Sequence, residues 1–239
     1  MPLLGTRGAA AAKGFGLTSD SKTNNDLLIG QAYGGGYFFG VIKDGANLYN
    51  LVISPKAQGE SSRIHKTTSP LTDSPYSVTD GWTNTVTVAS AAYPAAQWAR
   101  SLTINGYNDW YIAARDEMEL MYRNLKPVTN ANTTGNRTYT TQQGDTVFTV
   151  GNNQNSVPIG AAYTADDPSM TPLTLFQTGG AEAIAVGTGS FAMCTSTRYA
   201  GNTTSMLFQG MDNGRQTVAT GWNAALPVRV IRRVLKGPA

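Results

Sequence analysis

Seven residues late in the chain are of types that could recognise a ligand: Arg198, Tyr199, Asn202, Asp212, Asn213, Trp222 and Asn223. A Tyr and a Trp offer flat faces for stacking on a sugar or peptide, and Asn and Asp side chains offer directional hydrogen bonds to hydroxyls. The plainer reading makes Trp222 a core residue of a late strand and the others hairpin turns. Asp109 and Trp110, inside "NGYNDWYIAARDEMELMYRNL", form a second candidate. They could grip a sugar, or the Trp could pack in the core while the Asp bonds nearby backbone.

Catalytic chemistry has little to work with. One His and one Cys, His65 and Cys194, leave few combinations of nucleophile and base. Neither stands in a local motif, and there is no P-loop, no G-x-S-x-G and no strand-borne G-x-G-x-x-G. A single Cys excludes an intrachain disulfide framework and a multi-cysteine zinc site. Asp166, Asp167 and Asp212 are the oxygen donors nearest to a hard-cation set, though each also suits a turn. The expectation is no catalytic residue, no cofactor and no bound metal.

Charge and composition narrow the classes further. Charged residues are 14% of the 239, against about 25% in ordinary soluble domains, and Gly is abundant at 26 residues. That balance suits a turn-rich β protein. The net charge is +3, but Lys and Arg are scattered, and the densest group is Arg229, Arg232, Arg233 and Lys236. A nucleic-acid footprint needs a basic stripe interleaved with aromatics, so nucleic acid is not expected as a partner. No apolar run is long enough to span a bilayer, and "MPLLGTRGAAAAKGFG" lacks the apolar core of a signal peptide, so membrane insertion and export are not expected.

The elements that must position these residues follow from periodicity. Residues 1–26 hold few large side chains and read as an extended arm, with Arg7, Lys13 and Phe15 as anchors on a partner; residues 27–239 read as the folded domain. Strands are expected at residues 36–42 and 47–54 around Asp44-Gly45, a hairpin signal. A Ser/Thr/Pro loop covers residues 61–85. Ala95, Trp98, Ala99 and Leu102 then stand at i, i+3, i+4 and i+7, as do Met118, Met121, Tyr122 and Leu125, which predicts two helices, the first with Pro94 in its opening turn. Residues 130–190 form a long polar excursion with short strand-like runs at "DTVFTVG" and "PLTLFQT", and the sequons at Asn132, Asn136 and Asn202 read as Asn/Thr-rich surface. Two strands flank Asp212-Asn213-Gly214, and "ALPVRVIRRVL" reads as a closing strand that pairs with the early ones. Trp98, Trp110, Met118, Met121, Tyr122, Leu125 and Val230 are expected to share one core.

Several of these residues carry a resemblance. The helix "AAQWARSL", the segment Gly106, Asp109, Trp110, Ile112, Glu117 and Met118, the run Thr195-Ser196-Thr197 and the terminal Val228, Arg229, Val230 and Arg232 resemble the C-terminal domain family of the Legionella collagen-like adhesin, over residues 81–234. That family is a branch of the C-type-lectin-like fold shared with formylglycine-generating enzymes. The resemblance implies an α+β fold with two helices on antiparallel sheet closed by the terminal strands. It departs from the family pattern at Ala113 and Ala114, where a Pro and a capping Ser or Thr are usual, so the helix start needs another partner. The paired "E-P-N" and "W-N-D" runs of calcium-binding lectins are lacking, the nearest being Trp222-Asn223-Ala224. Formylglycine-generating enzymes rely on reactive cysteines, and Cys194 in a core strand reads as inert.

The opening "LLGTRGAAAAKGFGLTS" is similar to a short segment that recurs in structural proteins of tailed bacteriophages. The resemblances imply a virion protein, assembled in the host cytoplasm and displayed on the particle. Its arm would contact other virion proteins, its domain would bind a host-surface glycan or protein, and it would be a homo-oligomer, a trimer by preference. The competing expectations are a capsid or tail decoration protein with no receptor role, and an oxidoreductase of the formylglycine-generating type.

Overall fold

The structure, a computed structural model of the chain, describes residues 27–141, 144–186, 193–201, 204–219 and 223–239. Arg7, Lys13 and Phe15 of the expected arm, and Asn202 and Trp222 of the expected recognition group, lie outside the described residues.

The elements run β1 (Ala32–Tyr33), β2 (Gly36–Asp44), β3 (Asn47–Ile53), α1 (Lys56–Gly59), β4 (Glu60–Ile64), α2 (Gly81–Val88), α3 (Pro94–Ser101), β5 (Tyr111–Ile112), α4 (Arg115–Leu125), β6 (Asn136–Thr141), β7 (Gly144–Thr149), β8 (Ser156–Val157), β9 (Met193–Arg198), β10 (Met206–Gln209), β11 (Gln216–Ala219) and β12 (Ala225–Pro238). The main sheet has the order β1-β2-β3-β12-β4, with β5 against β12 and β8 against β2, every pair antiparallel. A smaller sheet has the order β11-β10-β9, and β6 pairs β7 in a hairpin. The fold is α+β, with mostly antiparallel sheet and few helices. The early and late strands do pair: Arg232 faces Val52, and Arg229 faces Glu60.

Strand alternation decides where the core sits. On β3, Leu51 and Ile53 point to one face of the sheet and Val52 to the other; on β5, Tyr111 and Ile112 divide in the same way. The first face packs Met118, Met121, Tyr122 and Leu125 of α4, and the second packs Ala95, Ala96 and Ala99 of α3. One shared core is therefore the wrong picture. Trp110 and Val230 belong to the second cluster with half-buried Trp98 at its rim, because the pleat sends neighbouring residues to opposite sides.

The start of α4 finds its missing partners in tertiary structure. Glu117 reaches back to accept the Ala114 N–H at 2.7 Å, Thr197 Oγ1 accepts the Arg115 N–H at 3.0 Å, and the Val78 carbonyl accepts the Asp116 N–H at 2.9 Å. These satisfy the amides that an Ala cannot.

Two stretches depart from expectation. Part of the loop expected at residues 61–85 is the end of β4 and the start of α2, whose cap is Asp80 accepting the Thr83 N–H at 2.8 Å. The Thr/Val content of α2 favours strand, but it buries Gly81, Asn84, Thr85 and Val88, and packing overrides propensity. The "PLTLFQT" run is a series of turns rather than a strand: Leu173 O accepts the Phe176 N–H at 2.9 Å, which drives Phe176 into the core against Tyr37 with ring centroids 5.5 Å apart. No helix among the described residues is long and apolar enough to cross a membrane.

Candidate functional site

The described members of the late group do not share one surface. Arg198 pairs with Met206 at one end of β10, whereas Asp212 and Asn213 lie in the turn beyond Gln209 at its other end. Tyr199 is buried, Arg198 donates from Nε to Ser74 O at 2.9 Å, and Asn213 holds its own turn by accepting the Arg215 N–H at 3.1 Å. The Asn213 carbonyl also accepts the Thr133 N–H at 2.7 Å. Asn223 is exposed just ahead of β12.

Cys194 and His65 are both interior. Burial among Leu71, Met206, Phe208 and Leu226 pushes the Cys194 thiol well up and holds it protonated. Burial, with the Lys66 charge added, lowers the His65 imidazole to about 4, and the ring stands edge-on to Tyr93 at 5.7 Å. Asp166 and Asp167 are exposed, in a turn where Thr164 Oγ1 accepts the Asp167 N–H. Among the described residues no three His, Cys, Asp or Glu side chains converge to hold a metal. Asn132 of the first sequon is not surface: its Oδ1 accepts from the Tyr122 hydroxyl at 2.6 Å and the Lys126 Nζ at 2.7 Å inside the fold.

Asp109 and Trp110 part company. Trp110 is fully buried and donates from Nε1 to Tyr107 O at 2.9 Å, a packing residue. The Asp109 carboxylate instead takes the Arg232 fork, at 2.7 Å from Nε and 2.8 Å from Nη2, while the same guanidinium lies 3.9 Å above the exposed Tyr107 ring. Asp109 stays partly open to solvent and forms, with Tyr49, Trp82 and Arg233, the wall of a shallow pocket of about 210 Å³.

Each of the other three is fixed by a different element. Trp82, in the first turn of α2, stands edge-on to Tyr111 at 6.2 Å, and Arg100 of α3 lies 4.3 Å from its ring centre. Arg233 of β12 sits 4.5 Å above the Tyr49 ring of β3 and pairs with Asp44 at 3.0 Å and Asp80 at 3.1 Å. Burial works against that guanidinium, but the acidic groups around it outweigh the burial and raise its pKa, with Asp44 and Asp80 as its ion-pair partners. Two ring systems, a carboxylate and a guanidinium are thus held in register by ion pairs and stacking. Such a surface can stack on an apolar sugar or side-chain face and hydrogen-bond hydroxyls around it.

Sequence reasoning reached Asp109 but missed Tyr49, Trp82 and Arg233, which are far apart in the chain. The one local signal was the C-terminal basic group. There Arg229 pairs Glu60 and Glu182, Arg232 pairs Asp109, and Arg233 pairs Asp44 and Asp80, so the cluster is built into the fold. Comparison with family models, with curated proteins and with solved structures found no match.

Proposed function

We propose that this chain is a bacteriophage virion component of tail or fibre type, whose C-type-lectin-like domain binds a host-surface receptor and whose N-terminal segment ties it to other virion proteins. The observation that carries the receptor role is the pocket of Tyr49, Trp82, Asp109 and Arg233, with both charged groups already neutralised and oriented by neighbours. Preorganised groups lose little entropy on binding, which favours recognition of a hydroxyl-rich surface glycan. The C-type-lectin-like part of the reading is supported by helices on both faces of an antiparallel sheet, an Asp-Trp segment between them, and a last strand paired with early ones. The virion part rests on the resemblance of the opening segment, and virion location and a trimeric state belong to the same reading.

The test is binding of the labelled full chain to a panel of bacterial cells, measured with and without EDTA. Binding by the parent that falls at least tenfold in Trp82→Ala, at unchanged melting temperature, is the expected result. Equal binding by the two, no binding by either, or binding that EDTA abolishes would move the chain to the decoration role or to a metal-dependent site.

A further inference from the structure

A groove of about 750 Å³ lies away from the aromatic pocket. Its floor is Phe38, Gly40 and Val41 of β2 with Leu120 of α4; one wall is Leu27 and Ile29, and the other is Val157, Pro158 and Ile159. The topology explains it: β1 and β8 pair along the same edge of β2, at Gly36–Tyr37 and at Val41–Ile42, and with Phe38 bonded by Gly30 and Gln31 only Phe39 and Gly40 lie between them without a strand partner on that edge. A second hollow of about 540 Å³ continues it past Ile29, Arg123 and Asn124. Its apolar lining is open, with Ile159 63% and Val157 44% exposed and Leu28 65% exposed on the second hollow, and Asn50, Arg123, Asn124 and Lys236 add polar groups to the groove. Exposed apolar residues gathered around a concavity mark a binding surface rather than chance exposure.

We propose that this groove receives the chain's own N-terminal segment through Phe15 and Leu17. The described chain begins at Leu27, in the groove wall itself, so residues 1–26 start from that point. The nine residues between, "TSDSKTNND", are polar and cannot fill an apolar channel. Phe15 and Leu17 are the first large apolar residues upstream. Their i, i+2 spacing in "GFGL" puts both side chains on one side of an extended segment, as a groove with a single floor requires. A nine-residue tether spans at most about 30 Å, long enough to double back, and it holds the segment at roughly millimolar effective concentration. Docking of Phe15 and Leu17 in the same chain is therefore favoured over their capture by a neighbour, which leaves the contact with other virion proteins to residues 1–13, with Arg7 and Lys13.

The experiment uses the full chain carrying Phe15→Cys with Ile159→Cys, treated with a mild thiol oxidant and resolved on a non-reducing gel with peptide mass spectrometry. Cys194 is buried and takes no part. Ile159 is exposed, so the parent's melting temperature serves as the check on folding. A disulfide within one chain, at least tenfold more abundant than in a control joining Phe15→Cys to Val86→Cys on α2, is the expected result. A disulfide-linked dimer would overturn the proposal in favour of exchange between copies. Equal yields in the two pairs, or no bond at position 159, would overturn it outright. As a second reading without cysteines, Phe15→Asp with Leu17→Asp should raise the fluorescence of a groove-binding apolar dye several-fold, and an unchanged signal would count against docking.

Discussion

Glu117 is fully buried where α4 begins and accepts hydrogen bonds from the Ala114 N–H at 2.7 Å, the Gly81 N–H at 3.2 Å and the Tyr111 hydroxyl at 2.8 Å. Each buried donor left unpaired costs about 1–3 kcal/mol, so Glu117→Ala should lose about 3 kcal/mol or more in urea unfolding. Glu117→Gln keeps the carbonyl that serves both amides and should lose about 1 kcal/mol. Burial raises the Glu117 carboxyl to about 8, against the pull of those hydrogen bonds. A raised folded value means stability is full below the unfolded value near 4.5 and is lost as pH rises through about 8. His65 has the opposite sign: its folded value of about 4 lies below the unfolded 6.5, so stability is full above 6.5 and is lost as pH falls toward 4. That arm is on the order of 3 kcal/mol. Melting temperature measured from pH 4 to 9 should peak near the middle, His65→Phe should flatten the acid side, and Glu117→Gln should flatten the alkaline side. His65 Nε2 has no hydrogen-bond partner, so the Phe ring takes nothing from the network.

At the scale of elements, β12 carries the most. Its Arg229 is wholly buried and donates to Ser54 O at 2.8 Å from Nε, to Glu182 Oε2 at 2.5 Å from Nη2 and to Glu60 Oε2 at 3.3 Å from Nη1. The fork fastens the residue that follows β3, the start of β4 and the end of the polar excursion to one strand. Removing it leaves Glu182 with the Lys56 N–H at 2.7 Å and Glu60 with only the Lys56 ammonium at 3.6 Å. Arg229→Ala should lose about 3–5 kcal/mol, read as a lower urea midpoint, and Arg229→Lys should recover only part because one ammonium cannot reproduce the fork. The helices α3 and α4 were legible in their i, i+3, i+4, i+7 spacing, and the hairpin turns in Asp44-Gly45 and Asp212-Asn213-Gly214. The helix α2 was not legible, since "GWTNTVTV" alternates like a strand and only the Asp80 cap gave a local sign.

For the molecule as a whole, the three apolar clusters of the described residues draw all their members from residue 29 onward. Deleting residues 1–20 removes Phe15 and Leu17 from the groove but no residue of these clusters, so it should keep a cooperative transition and lower the melting temperature by roughly 2–4 °C for each kcal/mol that docking contributes. The same deletion should abolish co-assembly with other virion proteins in a pull-down; normal incorporation would remove the assembly role from the arm. The aromatic pocket is also a property of the whole: its four residues come from β3, α2, the segment before β5, and β12.

The class of fold was determined by local pattern alone, because strand alternation, turn dipeptides and helical spacing act over a few residues and are written in consecutive letters. The same holds for Trp110, whose place in an apolar run between a turn and a helix leaves it little choice but burial. Which face each residue serves was decided only by the tertiary structure, since the pleat and the order of strands set that together. Arg232 and Arg233 are adjacent and identical in the sequence, yet one grips Asp109 beside Tyr107 and the other grips Asp44 and Asp80 over Tyr49. Among the described members of the late group the converse holds: Arg198 and the Asp212-Asn213 turn, near in sequence, stand at opposite ends of β10, a separation that sequence distance does not encode.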